Sequence, residues 1–340
     1  MEEHRALRIV VLHNDVPDPA PLDEQDALLQ AESVRAALSE AGHEAVKVPF
    51  PLDTRRVIDE LRTLGPALVF NLVESVEGRG RLIHLAPTVL DHLKIPYTGS
   101  STEALFQTSH KLLAKKCLKD AGIRTPPWYS TGDKAAGVKI PEGPFILKSV
   151  WEHASIGLED DCIIRTGDPD KLRTELERRR EQLGGEAFAE TYIDGREFNL
   201  SLLGKKGNVE LLPPAEILFR DFPEGKPRIV GYRAKWDDGA FEYRNTPRRF
   251  DFPREDRPLI EELKNISRAC WEIFGLRGYA RVDFRVDRDG IPWVLEVNAN
   301  PCLTPDSGFV ASAEERGLAY RSLIIRITEE ALFPTGGGLA

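Results

Sequence analysis

The chain has no C-x-x-C pair, no Lys/Arg-rich stripe, no apolar run of membrane-spanning length and no internal repeat or low-complexity tract. Each absence removes a class of function. The four cysteines, Cys117, Cys162, Cys270 and Cys302, lie far apart, which gives neither zinc-site spacing nor a dithiol redox motif. Reduced thiols in a cytoplasm are the expectation. With a formal net charge of -9 and no basic stripe, the surface repels phosphate backbones and anionic lipid, so neither nucleic acid nor membrane is an expected partner. The opening "MEEHRALRIVVLHND" sets acids and a histidine before a short apolar run, unlike the layout of a secretory signal. The seven histidines show no ligand spacing, and Ser-His-Asp or Cys-His catalysis has no local support.

What is present is a chain of 340 residues, 41% hydrophobic and 30% charged, long enough for two or three packed units and suited to a small-molecule ligand. "LRIVVL", "EAVKV" and "ALVFNLV" read as buried strands. Between them, "DEQDALLQAESVRAALSEAG" repeats apolar positions at helical spacing, with Gly42 where a C-cap belongs, and "TRRVIDELRTLG" reads as a second helix. Strand and helix in alternation predict right-handed crossovers and a mostly parallel sheet over residues 1–100. A second unit, 101–189, carries the helix "SHKLLAKKCLKDAG", the strand "PFILKSV" and a helix from Asp168 to Leu183; a third, 190–332, holds "EFNLSLL", a helix near Arg257 to Phe274 and a hairpin. Leu211 to Gly239, rich in Pro and Gly, reads as a long surface loop, and residues 333–340 as a frayed tail.

The hairpin "YARVDFRVDRDGIPWVLEVN" is the strongest chemical signal. Period two puts Arg281, Asp283 and Arg285 on one face of its first strand. On the second it sets Glu296, Asn298 and Asn300 on one face and Leu295, Val297 and Ala299 on the other. If the faces coincide, Asp283 and Glu296 become a close carboxylate pair that a hard cation would stabilise, and an amide oxygen nearby suits magnesium. The plainer reading is a solvated polar face. Lys148, inside "PFILKSV", is either an edge gatekeeper or an ammonium aimed at phosphate, and Lys111 poses the same choice. Glu190 and Glu197, around "TYIDGR", are surface acids unless a hinge places Glu190 on an adenine amino group and Glu197 on ribose hydroxyls, with Tyr192 and Ile193 alongside.

Taken in order, "VFNLVE", "IPYTGS", "HKLLAKKCLKDAGIRTPPW", "FILKSV", "ETYIDGREF", "LPPAEI", "YRAKW", "GYARVDF" and "LEVNANPCLTPDSG" resemble the ATP-grasp superfamily, and within it the D-alanine:D-alanine ligase-like members. The resemblance covers about residues 66–330. It implies an α/β fold in which an N-terminal parallel-sheet domain precedes two α+β lobes that sandwich ATP. It also implies an ADP-forming ligase that joins an amino acid to an amine acceptor, such as another amino acid, through an acylphosphate. Lys111, Lys148, Glu190, Tyr192, Ile193, Glu197, Lys235 and Leu295 would then serve ATP. Asp283, Glu296 and Asn298 would hold Mg2+, as two ions with Mn2+ as a substitute. Arg281 would stand beside the reacting carbonyl and Ser307 at the second substrate's carboxylate, and a homodimer is the family's suggestion.

The departures fall where substrates sit. The glycine-serine-rich phosphate loop of the family reads "EHASIG", with Ala154 in place of a serine, and its lysine-tyrosine pair reads Lys235-Trp236. The "PGM" after the metal asparagine is Pro301-Cys302-Leu303, and "SL" is Ser307-Gly308. The Gly-Gly-x-Ser-x-Glu segment that grips the first amine is absent, which leaves Asp23 or Glu24 of "PLDEQD" to stand in for its acid. A competing class is a nucleotide-binding module that kept the ATP site and lost the chemistry. Arg281 and the complete metal set argue against it.

Overall fold

A computed structural model of the chain describes residues 6–17, 19, 21–130, 143–152, 155, 157–205 and 207–332, with the backbone alone at residues 22 and 23. The first sheet is parallel, in the order β2-β1-β3, from β1 (Arg8–Asn14), β2 (Glu44–Phe50) and β3 (Leu68–Asn71). The helices Leu22–Glu40 and Thr54–Leu64 form its crossovers, as the alternation predicts. Ala27, Gln30, Ala31, Val34 and Leu38 are buried along the first of these, and Gly42 follows it at φ +89°. "IPYTGS" adds only a parallel bridge, Val69 to Tyr97.

The second sheet is antiparallel, in the order β4-β7-β5-β6, from β4 (Trp128–Ser130), β5 (Gly143–Ser149), β6 (Ile163–Thr166) and β7 (Ala187–Thr191). Lys148 lies on β5 just past the end of its pairing with β6, which stops at Ile146, and its ammonium donates to Glu190, which argues against the edge-gatekeeper reading. The helix beneath this sheet runs Pro169–Arg179, shorter than expected, and packs Leu172 and Leu176 on Phe145, Leu147 and Ala189.

The third sheet runs β11-β10-β8-β12-β13, with β9 also paired to β8. Its strands are β8 (Arg196–Lys205), β9 (Asn208–Leu211), β10 (Ala215–Ile217), β11 (Arg248–Arg249), β12 (Tyr279–Val286) and β13 (Pro292–Asn298). Phe198, Leu200, Val282, Phe284, Val294 and Val297 face the helix Arg257–Ile273 through Ile260, Leu263 and Cys270. The expected long surface loop from Leu211 to Gly239 is overturned in part. Its proline and glycine content conceals β10, an interior strand, and the short helix Tyr232–Trp236, with Ile229 and Ala234 buried. No helix among the described residues is long and apolar enough to cross a membrane.

The first and third sheets share a core, in which Ile9, Phe70 and Leu38 pack with Tyr279, Leu303, Phe309 and Ile324. Gly278 sits at that junction with φ +70°, and a Cβ there would stand 2.9 Å from Gly99 N and 3.0 Å from Gly99 Cα. Both contacts are backbone and cannot swing aside. Gly278→Ala is therefore predicted to destabilise the protein by about 1–3 kcal/mol, read as a lower urea midpoint. An unchanged midpoint would show that the junction is looser than described.

Candidate active site

A cavity of about 450 Å³ opens between the second and third sheets. The hairpin builds its floor. β12 and β13 pair with Arg281 opposite Asn298 and Asp283 opposite Glu296, so the two polar faces coincide. Val282, Phe284 and Val297 point the other way into the core. The register then slips between Asp283 and Phe284, because Phe284 pairs with Val294 and Leu295 is an extra residue. A bulge of this kind turns two consecutive side chains toward one side. Leu295 accordingly lines the cavity beside Glu296, against the strict alternation expected of it. Asn300 departs from alternation too. Its amide donates to Val73 O at 3.0 Å and its Oδ1 accepts from Tyr279 Oη at 2.7 Å, so it ties β13 to the first sheet and stays out of the cavity.

Asp283 is held from both sides. Arg281 forks onto it with Nε to Oδ1 at 2.7 Å and Nη2 to Oδ2 at 2.8 Å, and Asn199 Nδ2 donates to Oδ1 at 2.7 Å. Burial opposes the Arg281 charge, but Asp283 outweighs it and holds the guanidinium ionised. Asn298 Oδ1 accepts from Asn300 N at 3.0 Å, which fixes its carbonyl. Among the described residues no three His, Cys, Asp or Glu side chains converge as metal ligands. The set present is two facing carboxylates and one amide oxygen, all hard donors, and this composition fits Mg2+.

The opposite wall is cationic. Lys148 Nζ donates to Glu190 Oε1 at 2.6 Å, while Lys115 Nζ lies 2.5 Å from Oε2. Lys115 also donates to Thr125 Oγ1 at 2.6 Å and to Pro126 O at 3.0 Å. Burial would raise the Glu190 carboxyl, but the two ammonium groups outweigh it and hold it below its usual range. Burial likewise takes Lys115 down to about 8. The Glu190 carboxylate is thus engaged with lysines, and an adenine amino group would have to compete with two charges. Glu197 is engaged as well, with Arg285 Nη2 2.8 Å from its Oε2. Tyr192, Ile193, Lys235 and Ser307 line the cavity as expected of site residues. Lys111 does not; it is buried, and its Nζ donates to Glu152 O at 2.5 Å, though the Glu296 charge still acts on it.

Glu24 is also absent from the cavity wall. The acids that face it from the first unit are Asp26, two residues further along the same helix, and Glu74, just past the end of β3, which corrects the expectation. The side chain of Asp23 and the whole of Ala154 lie outside the described residues. Cys302 Sγ is 3.2 Å from Asp26 Oδ2, and Gln30 Nε2 donates to Glu74 Oε1 at 3.1 Å. Sequence signals for the missed groups existed. Lys115 is one turn from Lys111 on a single helix face. Asn199 follows Glu197 at strand period, and Glu74 stands just past the carboxyl end of β3, where parallel sheets present ligand-binding groups.

Two segments meet over the opening. Ser155 Oγ donates to Val230 O at 2.9 Å, Tyr232 N to Leu158 O at 3.2 Å, and Lys226 Nζ lies 2.5 Å from Asp160 Oδ2. One is the loop that leads from β5 to β6, and the other lies in the Pro/Gly-rich stretch Leu211 to Gly239.

The family profile described as D-ala D-ala ligase C-terminus matches residues 135–329. An uncharacterized protein, y4sG, of Sinorhizobium fredii is 31% identical over 306 residues, covering 88% of this chain and 87% of that one. A D-alanine--D-alanine ligase of Aquifex aeolicus is 29% identical over 306 residues, covering 89% and 94%. The crystal structure of D-alanine--D-alanine ligase from Bacillus anthracis complexed with ATP superimposes with a TM-score of 0.72 at 26% identity, over 96% of this chain and 98% of that chain.

Burial takes the Glu74 carboxyl from 4.5 up to about 7, with the Asp26 charge adding to it and the Gln30 bond opposing. A carboxyl raised on folding stays protonated in the native state while the unfolded chain ionises. Its contribution is complete below about pH 4.5 and is lost as pH rises toward about 7. Between pH 5 and 8, Glu74→Gln should therefore gain stability relative to the parent by about 1–3 kcal/mol, measured by urea unfolding across pH. Parallel curves for the two proteins would refute the assignment.

Proposed function

The chain belongs to the D-ala D-ala ligase C-terminus family and is an ATP-dependent ligase that forms carbon–nitrogen bonds; from that premise we propose that it joins an amino acid to an amino-acid or other amine acceptor through an acylphosphate. The observation that carries this reading is the direct opposition of Asp283 and Glu296 on the cavity floor, flanked by Asn298 and Arg281 and faced by Lys148 and Lys235.

In this reading Asp283, Glu296 and Asn298 would hold Mg2+, which when bound would supply Lewis-acid neutralisation of phosphate charge. Lys148, kept in place by Glu190, and Lys235 from the closing segment take the remaining phosphate charge, with Lys111 close behind. Tyr192, Ile193 and Leu295 form the adenosine walls, and Glu197 is the acid nearest the ribose. The donor carboxylate attacks the terminal phosphate and releases ADP. The acceptor amine then attacks the acyl carbon and expels phosphate as the amine loses its proton. Arg281 stabilises the oxyanion of that step, a role for which loss of one donor costs about 10²–10³ in rate. Closure through Ser155, Val230 and Tyr232 keeps water from the acylphosphate.

The reading commits to amino-acid ligation and not to D-alanine. D-alanine is the substrate in the names of several relatives. In this chain, however, Asp26 and Glu74 replace the usual amine grip, and Trp236, Cys302 and Gly308 change the substrate wall. Phosphate release from Mg-ATP with a pooled amino-acid mixture, followed by mass spectrometry, tests the reaction class and names the product. A new amide with stoichiometric phosphate is expected. Release at background with every combination would leave the non-catalytic binding module instead. Glu296→Gln should keep its melting profile and lose Mg-dependent turnover by at least about 10²-fold. Normal turnover in that variant would remove the metal assignment.

A further inference from the structure

Three arginines line the cavity, and two of them have acid partners: Arg281 is forked onto Asp283 and Arg285 is paired with Glu197. Arg248 differs. Its Nη1 donates to the backbone carbonyl of Asp306 at 3.1 Å, and no carboxylate among the described residues lies within ion-pair distance of its guanidinium. Burial and then the Arg281 charge both work against its ionisation, with Asp306, Tyr243 and Cys302 acting the other way. A guanidinium in a protein keeps its charge all the same. Arg248 is an exposed cation on the cavity wall, and its other donors face solvent with no protein partner among the described residues.

The backbone beside it is open. A Cβ at Gly308 would stand 3.4 Å from Arg248 Nε, so a longer side chain at this position would displace the guanidinium. Glycine lets Arg248 lie against the Asp306–Gly308 turn, next to Ser307, and leaves space between Arg248, Tyr243, Thr246 and Cys302. A planar fork with free donors in a concave site matches a carboxylate in shape and charge.

We propose that Arg248 is a specificity-determining residue that binds a carboxylate of the acceptor amino acid. The assignment rests on the ligase reading for the word acceptor, and on the cavity geometry alone for the carboxylate. That carboxylate is either the α-carboxylate or one on the acceptor side chain. The bound form would bring a neutralising charge to a site where two arginines repel, and would set the acceptor amine on the Arg281 side of the cavity.

The test is calorimetric binding to the full-length protein saturated with Mg-ADP, using racemic alanine against alaninamide and racemic glutamate against glutamine. The parent protein should prefer the carboxylate member of at least one pair by about 10- to 100-fold. Preference in the alanine pair identifies the α-carboxylate, and preference confined to the glutamate pair identifies the side chain. Arg248→Met should abolish the preference without changing Mg-ADP affinity, and Arg248→Lys should retain part of it. Absence of preference in both pairs, or a preference that survives in Arg248→Met, would overturn the proposal. ADP formation with the amino-acid pool is followed in parallel. A parent protein that shows the Arg248-dependent preference but never turns over would refute the ligase reading and leave the carboxylate site standing.

Discussion

Two carboxylates set directly opposite each other on paired strands repel, and the site depends on how that repulsion is managed. The backbone fixes the opposition of Asp283 and Glu296, because their strands pair at these residues and the apolar side chains between them are locked in the core. The bulge at Leu295 then sharpens the bend of β13 and adds an apolar contact next to the acids. Arg281 and Asn199 steady one carboxylate from the flank, yet both belong to the same wall. A hard cation seated against the pair would offset their repulsion, and a polyphosphate brings such a cation with it.

The facing wall meets the same problem with the opposite sign. Lys148 must present an ammonium to the cavity from an interior strand, and the buried Glu190–Lys115 pair behind it makes that tolerable. Desolvating three charges is unfavourable, and removing one partner from such a set commonly costs about 3–5 kcal/mol. A set of this kind is poor evidence for stability. It makes better sense as a device that holds one lysine at a fixed height above the floor. The two walls are joined at the mouth by bonds from Ser155, Tyr232 and Lys226, so the charges of both sheets act on one enclosed volume.

How much of this was legible depended on whether a feature is local. The parallel strands and their crossovers could be read because hydrophobic period and a C-cap glycine are short-range signals. The coincidence of the hairpin faces could be read because a tight turn sets the register. Strand period turns Leu295 to the core face while the family resemblance sets it at ATP, and the two disagree because a bulge leaves no mark in four or five residues of sequence. β10 is hidden in a Pro/Gly-rich stretch because the three residues of "AEI" gain their order from pairing with β8 on one side and the more distant β11 on the other. The second partner of Glu190 is hidden for a similar reason: Lys115 lies on the helix Lys111–Asp120 and Glu190 on β7, and only the fold brings them together. Asp26 and Glu74, in place of Glu24, show the same limit, because the acid that faces a cavity is chosen by helix phase and strand ends.

The central claim is that the opposed acids gather a divalent cation for a nucleotide. Electron paramagnetic resonance of Mn2+ in the presence of ADP measures this directly, by comparing the parent protein with Asp283→Asn at equal concentration. The account predicts that the parent depletes the free-ion signal when ADP is added and that the variant leaves it near the level of ADP alone. Equal depletion by both proteins, with the variant's fold intact, would contradict it.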